Sequence, residues 1–170
     1  MKIFVDIFSN DELCSDTYPI KEEGCVYVIQ GKMVKEETGG DYGIAANAGE
    51  DDEGAGEGVE GATSSTVIDF VSANRLQETP FTKKVYMAYI KGYMMRVKAH
   101  LEKENPDRVK PFMAEAQAFV KKILTNFDDY VFYTGASQDD EAMCPIVFYG
   151  PDGMSPFMYI FKDGVREEKC

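Results

Sequence analysis

The chain has 170 residues, of which 44% are hydrophobic, and its formal net charge is −12 at pH 7. This acidity argues against sequence-independent binding to DNA or RNA, whose phosphates require clustered Lys and Arg, and it favours partners with basic protein surfaces. No apolar run approaches the roughly 20 residues that span a bilayer, and Asp6 interrupts the first apolar run before a signal-peptide core could form, which predicts a cytosolic protein without a membrane anchor.

Short apolar runs near the N-terminus predict the first strands of a sheet. Residues 3–8 and 26–29 are rich in β-branched and aromatic side chains. Gly31 and Lys32 then predict a turn before a further extended pair of residues, Met33 and Val34. Chains of this length most often form one domain, and we expect a single domain over residues 1–170.

Residues 36–65 differ in composition from the rest of the chain. They are rich in Gly, Ala, Asp and Glu, with almost nothing large and apolar after Ile44. Such a segment cannot offset its loss of conformational entropy by burying apolar surface, so we predict a long mobile acidic loop. The alternative is a loop that becomes ordered when a cation or a basic partner binds. After it, residues 67–71 predict another strand.

An amphipathic helical hairpin is predicted over residues 82–127. In its first arm apolar side chains recur at spacings of three and four, with lysines and glutamates on the other side; these apolar side chains are Tyr86, Ile90, Tyr93, Met94, Val97 and Leu101. The second arm repeats the pattern over 109–127 after a short connection, which favours two antiparallel helices. Because Pro111 cannot donate an intrahelical hydrogen bond, regular helix in this arm is expected to begin near Lys110.

Apolar runs at residues 130–133, 145–149 and 157–161 predict strands that follow the hairpin. The sequences GPDGMSP and KDG mark turns. Strands therefore flank the hairpin on both sides. The predicted fold class is α+β, a β-rich body with an inserted antiparallel α-helical hairpin.

The sequence offers little material for catalysis or for structural zinc. Its four cysteines, Cys14, Cys25, Cys144 and Cys170, include no CxxC pair, so we expect reduced thiols. Cys170 is expected to be exposed, and it is either an inert thiol or the site of an intermolecular disulfide that links two otherwise monomeric copies. The single histidine, His100, is expected to be a partly exposed helical side chain. Without a phosphate-binding loop or a nucleophile elbow, the sequence predicts a protein that is not an enzyme.

Carboxylates are plentiful enough to raise the question of calcium binding. They cluster at residues 50–53, 128–129 and 139–141. Calcium takes about six to eight oxygen ligands, and no stretch has the ligand spacing of an EF-hand loop. Two interpretations stay open. One is a solvated acidic surface without a required cofactor; the other is a weak site assembled from separated segments that include Asp128, Asp129, Asp139 and Asp140.

Several longer stretches resemble the translationally controlled tumour protein family. They are DELCSDTY near the N-terminus, IAANAGED and STVIDFV on either side of the acidic segment, LQETPFTKKVYMAYIKGYM in the first helix, PDRVKPFM and ILTNFDDYVFY around the second, and DGMSPFMYIFKDGVREEKC. The resemblance covers essentially the whole chain. Two positions depart from the family's usual signatures: Gly49 replaces a serine, and Ala136 replaces a glutamate after Gly135.

The resemblance implies a β-tent fold, which agrees with the prediction from the residues. The same fold occurs in a zinc-containing family that binds Rab GTPases, but the cysteine pairs that hold that zinc are missing from this sequence. The resemblance further implies a cytoplasmic interaction protein that binds calcium, associates with and stabilises microtubules, and contacts the elongation factor 1 complex and the Ras-like GTPase Rheb. Growth regulation, translation, anti-apoptotic activity and secretion by an unconventional route are implied as well. The alternatives are a nucleotide-exchange or dissociation regulator of a small GTPase and a simple low-affinity calcium-binding protein.

The resemblance also suggests which residues meet these partners. The segment NDELCSD matches an acidic segment invoked at the GTPase interface, where a carboxylate can compete for the nucleotide-bound magnesium or its lysine partner; the candidates are Glu12 with its neighbours Asn10, Asp11 and Asp16. The acidic surface of tubulin would prefer lysines on the exposed side of the hairpin, for which we expect Lys83, Lys84, Lys91 and Lys98. For both sets an ordinary solvated surface is the alternative.

Overall fold

The structure, a computed structural model, describes residues 1–37 and 64–169. Within these ranges the strands are β1 Lys2–Asp6, β2 Glu12–Ser15, β3 Ile20–Glu23, β4 Val26–Gln30, β5 Met33–Glu37, β6 Ser64–Ile68, β7 Gln77–Thr79, β8 Val131–Thr134, β9 Ile146–Tyr149, β10 Pro156–Phe161 and β11 Val165–Lys169. The helices are α1 Asp69–Ala73, α2 Lys83–Glu104 and α3 Val109–Thr125, and 3₁₀ turns occur at Pro106–Arg108, Phe127–Asp129 and Lys162–Gly164.

The strands form three antiparallel sheets. The largest has the order β3-β4-β10-β9-β8-β7, a second has the order β11-β1-β2, and β5 pairs with β6 alone. Side chains alternate between the two faces of a strand. Phe161 of β10 pairs with Val26 of β4 and contacts Phe112 of α3. The next residue of β4, Tyr27, lies on the opposite face of the sheet and contacts Phe4 of the second sheet at a ring separation of 5.3 Å. The two faces of the large sheet therefore carry different layers.

The helical hairpin covers one face of the large sheet. All six apolar side chains predicted for the first arm are buried, and Phe112, Ala116, Phe119 and Ile123 are buried in the second. Near the start of α2, the ring of Tyr86 lies 4.7 Å from that of Phe132 in β8. At the far end, Arg108 donates to Asp163 at 3.0 Å in the turn after β10. The hairpin is thus attached to the β-rich body at both ends.

The predicted fold class is confirmed, with corrections in detail. The helix in the second arm begins at Val109, which agrees with the expected start near Lys110. The strand predicted over residues 67–71 ends at Ile68, because Asp69 opens α1 and its carboxylate accepts the backbone N–H groups of Phe70 and Lys32 at 2.8 and 3.0 Å. A short apolar run does not distinguish a strand from a helical turn that buries one aromatic ring.

The ends of the predicted acidic loop are also corrected. Residues 36–37 and 64–65 belong to β5 and β6, which pair across the segment. Residues 38–63, which hold the rest of that prediction, the Gly49 position and the 50–53 carboxylates, lie outside the described residues. Among the helices that the structure describes, none is long and apolar enough to cross a membrane.

Candidate partner-binding surfaces

The turn between β1 and β2 is held by a buried carboxylate. Asp6 is almost wholly buried and accepts the backbone N–H of Phe8 at 2.9 Å and that of Met143 at 2.8 Å. Burial raises the pKa of Asp6, and these N–H groups offset part of that rise. The hydrogen bond with Met143 connects the turn to the segment that leads into β9. The acidic candidates that follow Asp6 in the sequence therefore lie on a turn whose position is fixed by the rest of the fold.

Three of the four acidic-segment candidates have partners inside the molecule. Asp11 accepts the backbone N–H of Ser137 at 3.2 Å and its hydroxyl at 2.6 Å, and a Cβ atom at Gly135 would overlap its carboxylate. Asp16 accepts the backbone N–H of Lys2 at 3.2 Å. Asn10 has a left-handed backbone, with φ of 65°, and its N–H donates to the Asp6 carbonyl. These residues shape the turn.

Glu12 differs from these three neighbours. It lies on β2, at the edge of the second sheet and opposite Val5 of β1. The next two residues, Leu13 and Cys14, are fully buried, whereas Glu12 is exposed and its carboxylate has no hydrogen bond or ion pair with any described residue. Of the four candidates, Glu12 is the one whose carboxylate is available to a partner without breaking an internal contact.

The four hairpin lysines lie along α2. The helix begins after Thr82, whose hydroxyl accepts the Val85 N–H at 3.1 Å and so caps the first turn. Lys84, Lys91 and Lys98 are seven residues apart, a spacing that places them along one side of a helix, and Lys83 starts an adjacent row. Lys83, Lys84 and Lys91 are exposed and Lys98 is half-buried. Within the described ranges none of the four forms an ion pair.

The predicted calcium ligands form two separate aspartate pairs. Asp128 and Asp129 belong to the 3₁₀ turn that precedes β8, whereas Asp139 and Asp140 lie in the segment that follows it. The four-residue strand β8, about 13 Å long, and the residues 135–138 that follow it lie between the two pairs in the chain. Nowhere in residues 1–37 and 64–169 do three or more His, Cys, Asp or Glu side chains lie close enough together to hold a metal ion. Within these ranges the predicted calcium ligands are therefore not gathered into one carboxylate cluster.

The three described cysteines are unpaired and buried. Burial raises the pKa of each thiol, Cys14, Cys25 and Cys144, to about 12. All three are therefore protonated and unreactive at neutral pH. His100 is half-buried near the end of α2, as predicted. Cys170, the candidate for an intermolecular disulfide, lies outside the described residues.

Comparison with known proteins decides the family. The family model described as "Translationally controlled tumour protein" matches residues 1–166. The chain belongs to that family. It is 47% identical over 172 residues to the "Translationally-controlled tumor protein homolog" of Schizosaccharomyces pombe, with 99% of each chain covered. It is 43% identical over 178 residues to the Homo sapiens "Translationally-controlled tumor protein", with both chains fully covered.

Solved structures of the translationally controlled tumour protein family share the fold. The Schizosaccharomyces pombe protein p23fyp superposes on this chain with a TM-score of 0.85 at 46% identity, and the alignment covers all of both chains. The family resemblance and the β-rich architecture with its helical hairpin are thereby confirmed.

Sequence reasoning about this family member missed two features of the hairpin. The hydroxyl of Tyr89 donates to the Ala142 carbonyl at 2.7 Å and accepts the Cys144 N–H at 3.0 Å, which fastens the segment before β9 to α2. Tyr89 lies one position before Ile90 of the buried stripe, and its apolar neighbours in the sequence gave no signal of this contact. The second feature is an apolar groove on the hairpin, whose exposed methionines Met87 and Met95 were a usable signal.

Proposed function

We propose that this family member is a cytoplasmic interaction protein without enzymatic activity, and that its helical hairpin binds the acidic surface of tubulin. The residues that make the contact are Lys83, Lys84, Lys91 and Lys98. The observation that supports this proposal is that these lysines follow one helix and none of them forms an ion pair within the described residues. The hairpin presents a row of cations on a chain whose net charge is −12.

Electrostatics explains why such a row favours an acidic partner. Opposite charges steer association and raise the rate of encounter, and the effect weakens as salt screens the charges. Lysines without internal partners keep their whole charge available to a second protein. Microtubule binding through this face should therefore be salt-dependent and should respond to reversal of the lysine charges.

Microtubule co-sedimentation tests the proposal. Changing the four lysines to glutamate should weaken binding by at least about tenfold, or about 1.4 kcal/mol. The matched control changes four other exposed lysines to glutamate, namely Lys21, Lys32, Lys35 and Lys169, which alters the net charge of the chain by the same amount. Loss of binding in the hairpin variant alone supports the proposal. Equal loss in both variants would reduce it to an effect of net charge, and retained binding would contradict it.

The exposed carboxylate of Glu12 favours a second candidate function, contact with a Ras-like GTPase. It stands on an edge strand with no internal partner, while Asn10, Asp11 and Asp16 hold the turn beside it. A carboxylate in that position can reach the magnesium or the lysine of a nucleotide site. Contact with the GTPase and catalysis of nucleotide exchange are separate proposals at this surface.

Two measurements separate them. Glu12→Ala should lower the affinity for the GTPase about tenfold, a change of about 1.4 kcal/mol, whereas Glu78→Ala, an exposed glutamate on the edge strand β7, should not. Nucleotide release is then followed with the protein at substoichiometric amounts. Accelerated release would identify an exchange factor, unchanged release with intact binding would identify a non-catalytic partner, and equal affinity of Glu12→Ala and the unaltered protein would exclude Glu12 from the contact.

The remaining functions stay proposals that rest on family membership. Binding of the elongation factor 1 complex is attributed to attraction between its basic surfaces and the acidic chain. Weak calcium binding, growth and survival control and secretion by an unconventional route belong to the same group, as does a dimer linked through Cys170.

A further inference from the structure

A groove runs along the outer side of the helical hairpin, between α2 and α3. Its volume is about 650 Å³, within the range of about 300–1,000 Å³ that is usual for sites of small organic ligands. Along α2 its lining begins at Lys83 and ends at Met95. Twelve residues of helix correspond to about 18 Å, and packed helices lie about 8–10 Å apart, so a groove between the two helices is long and narrow.

Apolar side chains form most of the lining, and four of them are methionines. Ile90 and Met94, both buried, form the floor, and Met87 and Met95 stand above it with 39% and 56% of their surface exposed. Met113 faces them from α3. Methionine has an unbranched, polarizable side chain that adapts to irregular apolar ligands. Two exposed methionines beside other apolar lining residues form an apolar patch of the kind that marks a binding site.

The charges in the lining all have one sign. Lys83, Lys91 and Lys121 line the groove, and no Asp or Glu does. Since the helices are antiparallel, Lys83 and Lys121 lie at the end where α2 begins and α3 ends, with Lys91 further along, whereas Met95 and Met113 occupy the opposite end. Two of the three lysines therefore lie toward one end of the groove, and Lys91 lies one helical turn before Met95.

We infer that this groove binds a free anionic amphiphile with a single long hydrocarbon chain, of which a fatty carboxylate is the simplest example. The carboxylate lies between Lys83 and Lys121, and the hydrocarbon chain follows the methionines toward Met95. Burial of the chain supplies most of the affinity, and the lysines select the sign of the head group. This inference does not depend on the proposed protein partners.

The shape of the groove favours this ligand over a partner helix. An amphipathic helix with acidic flanks also complements an apolar groove with a basic rim. A helix is about 10 Å wide, however, and would place only one row of side chains in the groove. A single hydrocarbon chain fills a long, narrow groove along its length, and its one charge matches the pair of lysines, Lys83 and Lys121, toward one end.

Titration of the isotope-labelled full chain with sodium laurate below its micelle-forming concentration tests the inference. Saturable one-to-one binding is expected, with shifts of the methyl signals of Met87, Met95 and Met113. Dodecyltrimethylammonium, which has a chain of the same length and a cationic head, should bind at least about tenfold more weakly, or about 1.4 kcal/mol. Acetate, which has the head group alone, should give no saturable shifts.

Two pairs of variants locate the site. Met95→Glu introduces a charge into the apolar end and should weaken laurate binding about tenfold, whereas Met154→Glu changes a methionine that is 73% exposed in the turn before β10 and should have no effect. Lys121→Glu should also weaken binding about tenfold, and Lys32→Glu, an exposed lysine on the β-rich body, should not. All four positions lie at the surface, and circular dichroism checks that each variant folds.

The inference would be overturned by any of three results. These are a lack of saturable laurate binding, equal binding of the anionic and cationic amphiphiles, and laurate binding that Met95→Glu leaves unchanged. Binding of an acidic amphipathic peptide by a chain that does not bind laurate would identify a partner helix as the occupant instead.

Discussion

Replacing Gly164 with alanine places a methyl group against Tyr93, a fully buried side chain of the hairpin. Gly164 lies in the turn between β10 and β11, and a Cβ atom there would overlap the hydroxyl of Tyr93 and approach the terminal methyl of Met143 to 2.6 Å. The methyl of Met143 can swing aside. Tyr93 is fully buried, with its ring 5.7 Å from those of Tyr89 and Phe161 and 5.8 Å from that of Phe8, so it has little room to move.

The size of the effect follows from this geometry. Overfilling a packed core costs about 1–3 kcal/mol, and we expect Gly164→Ala to lower the free energy of unfolding by about 2 kcal/mol. The Tyr93 hydroxyl has no hydrogen-bond partner among the described residues, so Tyr93→Phe alone should be neutral or stabilising. With the hydroxyl removed, the nearest ring carbon lies 3.3 Å from the added Cβ. In that background Gly164→Ala should cost less than about 1 kcal/mol.

Urea unfolding followed by far-ultraviolet circular dichroism measures all four members of this cycle, since the chain has no tryptophan for fluorescence. Gly92→Ala is the control, because its added Cβ meets open space on α2 and should stabilise the protein by up to about 1 kcal/mol. Additive effects of the two substitutions, with a coupling energy below about 0.3 kcal/mol, would refute the proposed contact between Gly164 and Tyr93.

Three further predictions concern charged groups. Arg108→Ala removes a cation that pairs with the mostly buried carboxylate of Asp163 and should lower the free energy of unfolding by about 2 kcal/mol. The control Lys110→Ala changes an exposed neighbour and should have little effect. Equal losses of stability in the two variants would contradict a stabilising role for the Arg108–Asp163 ion pair. The Asp152 carboxylate accepts the hydroxyl and N–H of Ser155, which lowers its pKa to about 2, so its contribution to stability is present at neutral pH and is lost as the pH falls through about 2. Titration of its carboxyl carbon signal should show this, and Ser155→Ala should raise the pKa, whereas an unshifted midpoint would argue against the turn. Calcium added to labelled protein should shift the NMR signals of the two aspartate pairs separately and without saturation at cytosolic calcium concentrations, since each pair offers too few oxygens. Saturable shifts shared by both pairs, and not produced by magnesium, would show a site that joins them.

The success of sequence reasoning differed between the interior and the edges of the sheets. The apolar runs of β1, β4, β8, β9 and β10 marked all central strands. The strands that went unpredicted, β2, β3, β7 and β11, are the edges of the two larger sheets. Edge strands commonly carry charged residues that discourage pairing with other chains, as in β11, which reads VREEK. Their strand conformation depends on pairing with a strand that lies far away in the sequence, and the local residue pattern carries no information about that partner.

Candidate sites show the same division. Periodicity alone determined the buried face of α2, because a helix repeats its environment every three to four residues. Glu12 and the hairpin lysines were marked by the family resemblance together with their charge. Only the tertiary structure decided that Asp11 is held by Ser137 while Glu12 is free, that the two aspartate pairs lie at opposite ends of β8, and that the methionines and lysines of two helices meet in one groove. Composition and periodicity act along the chain, whereas a binding surface is made of side chains that packing brings together from distant segments.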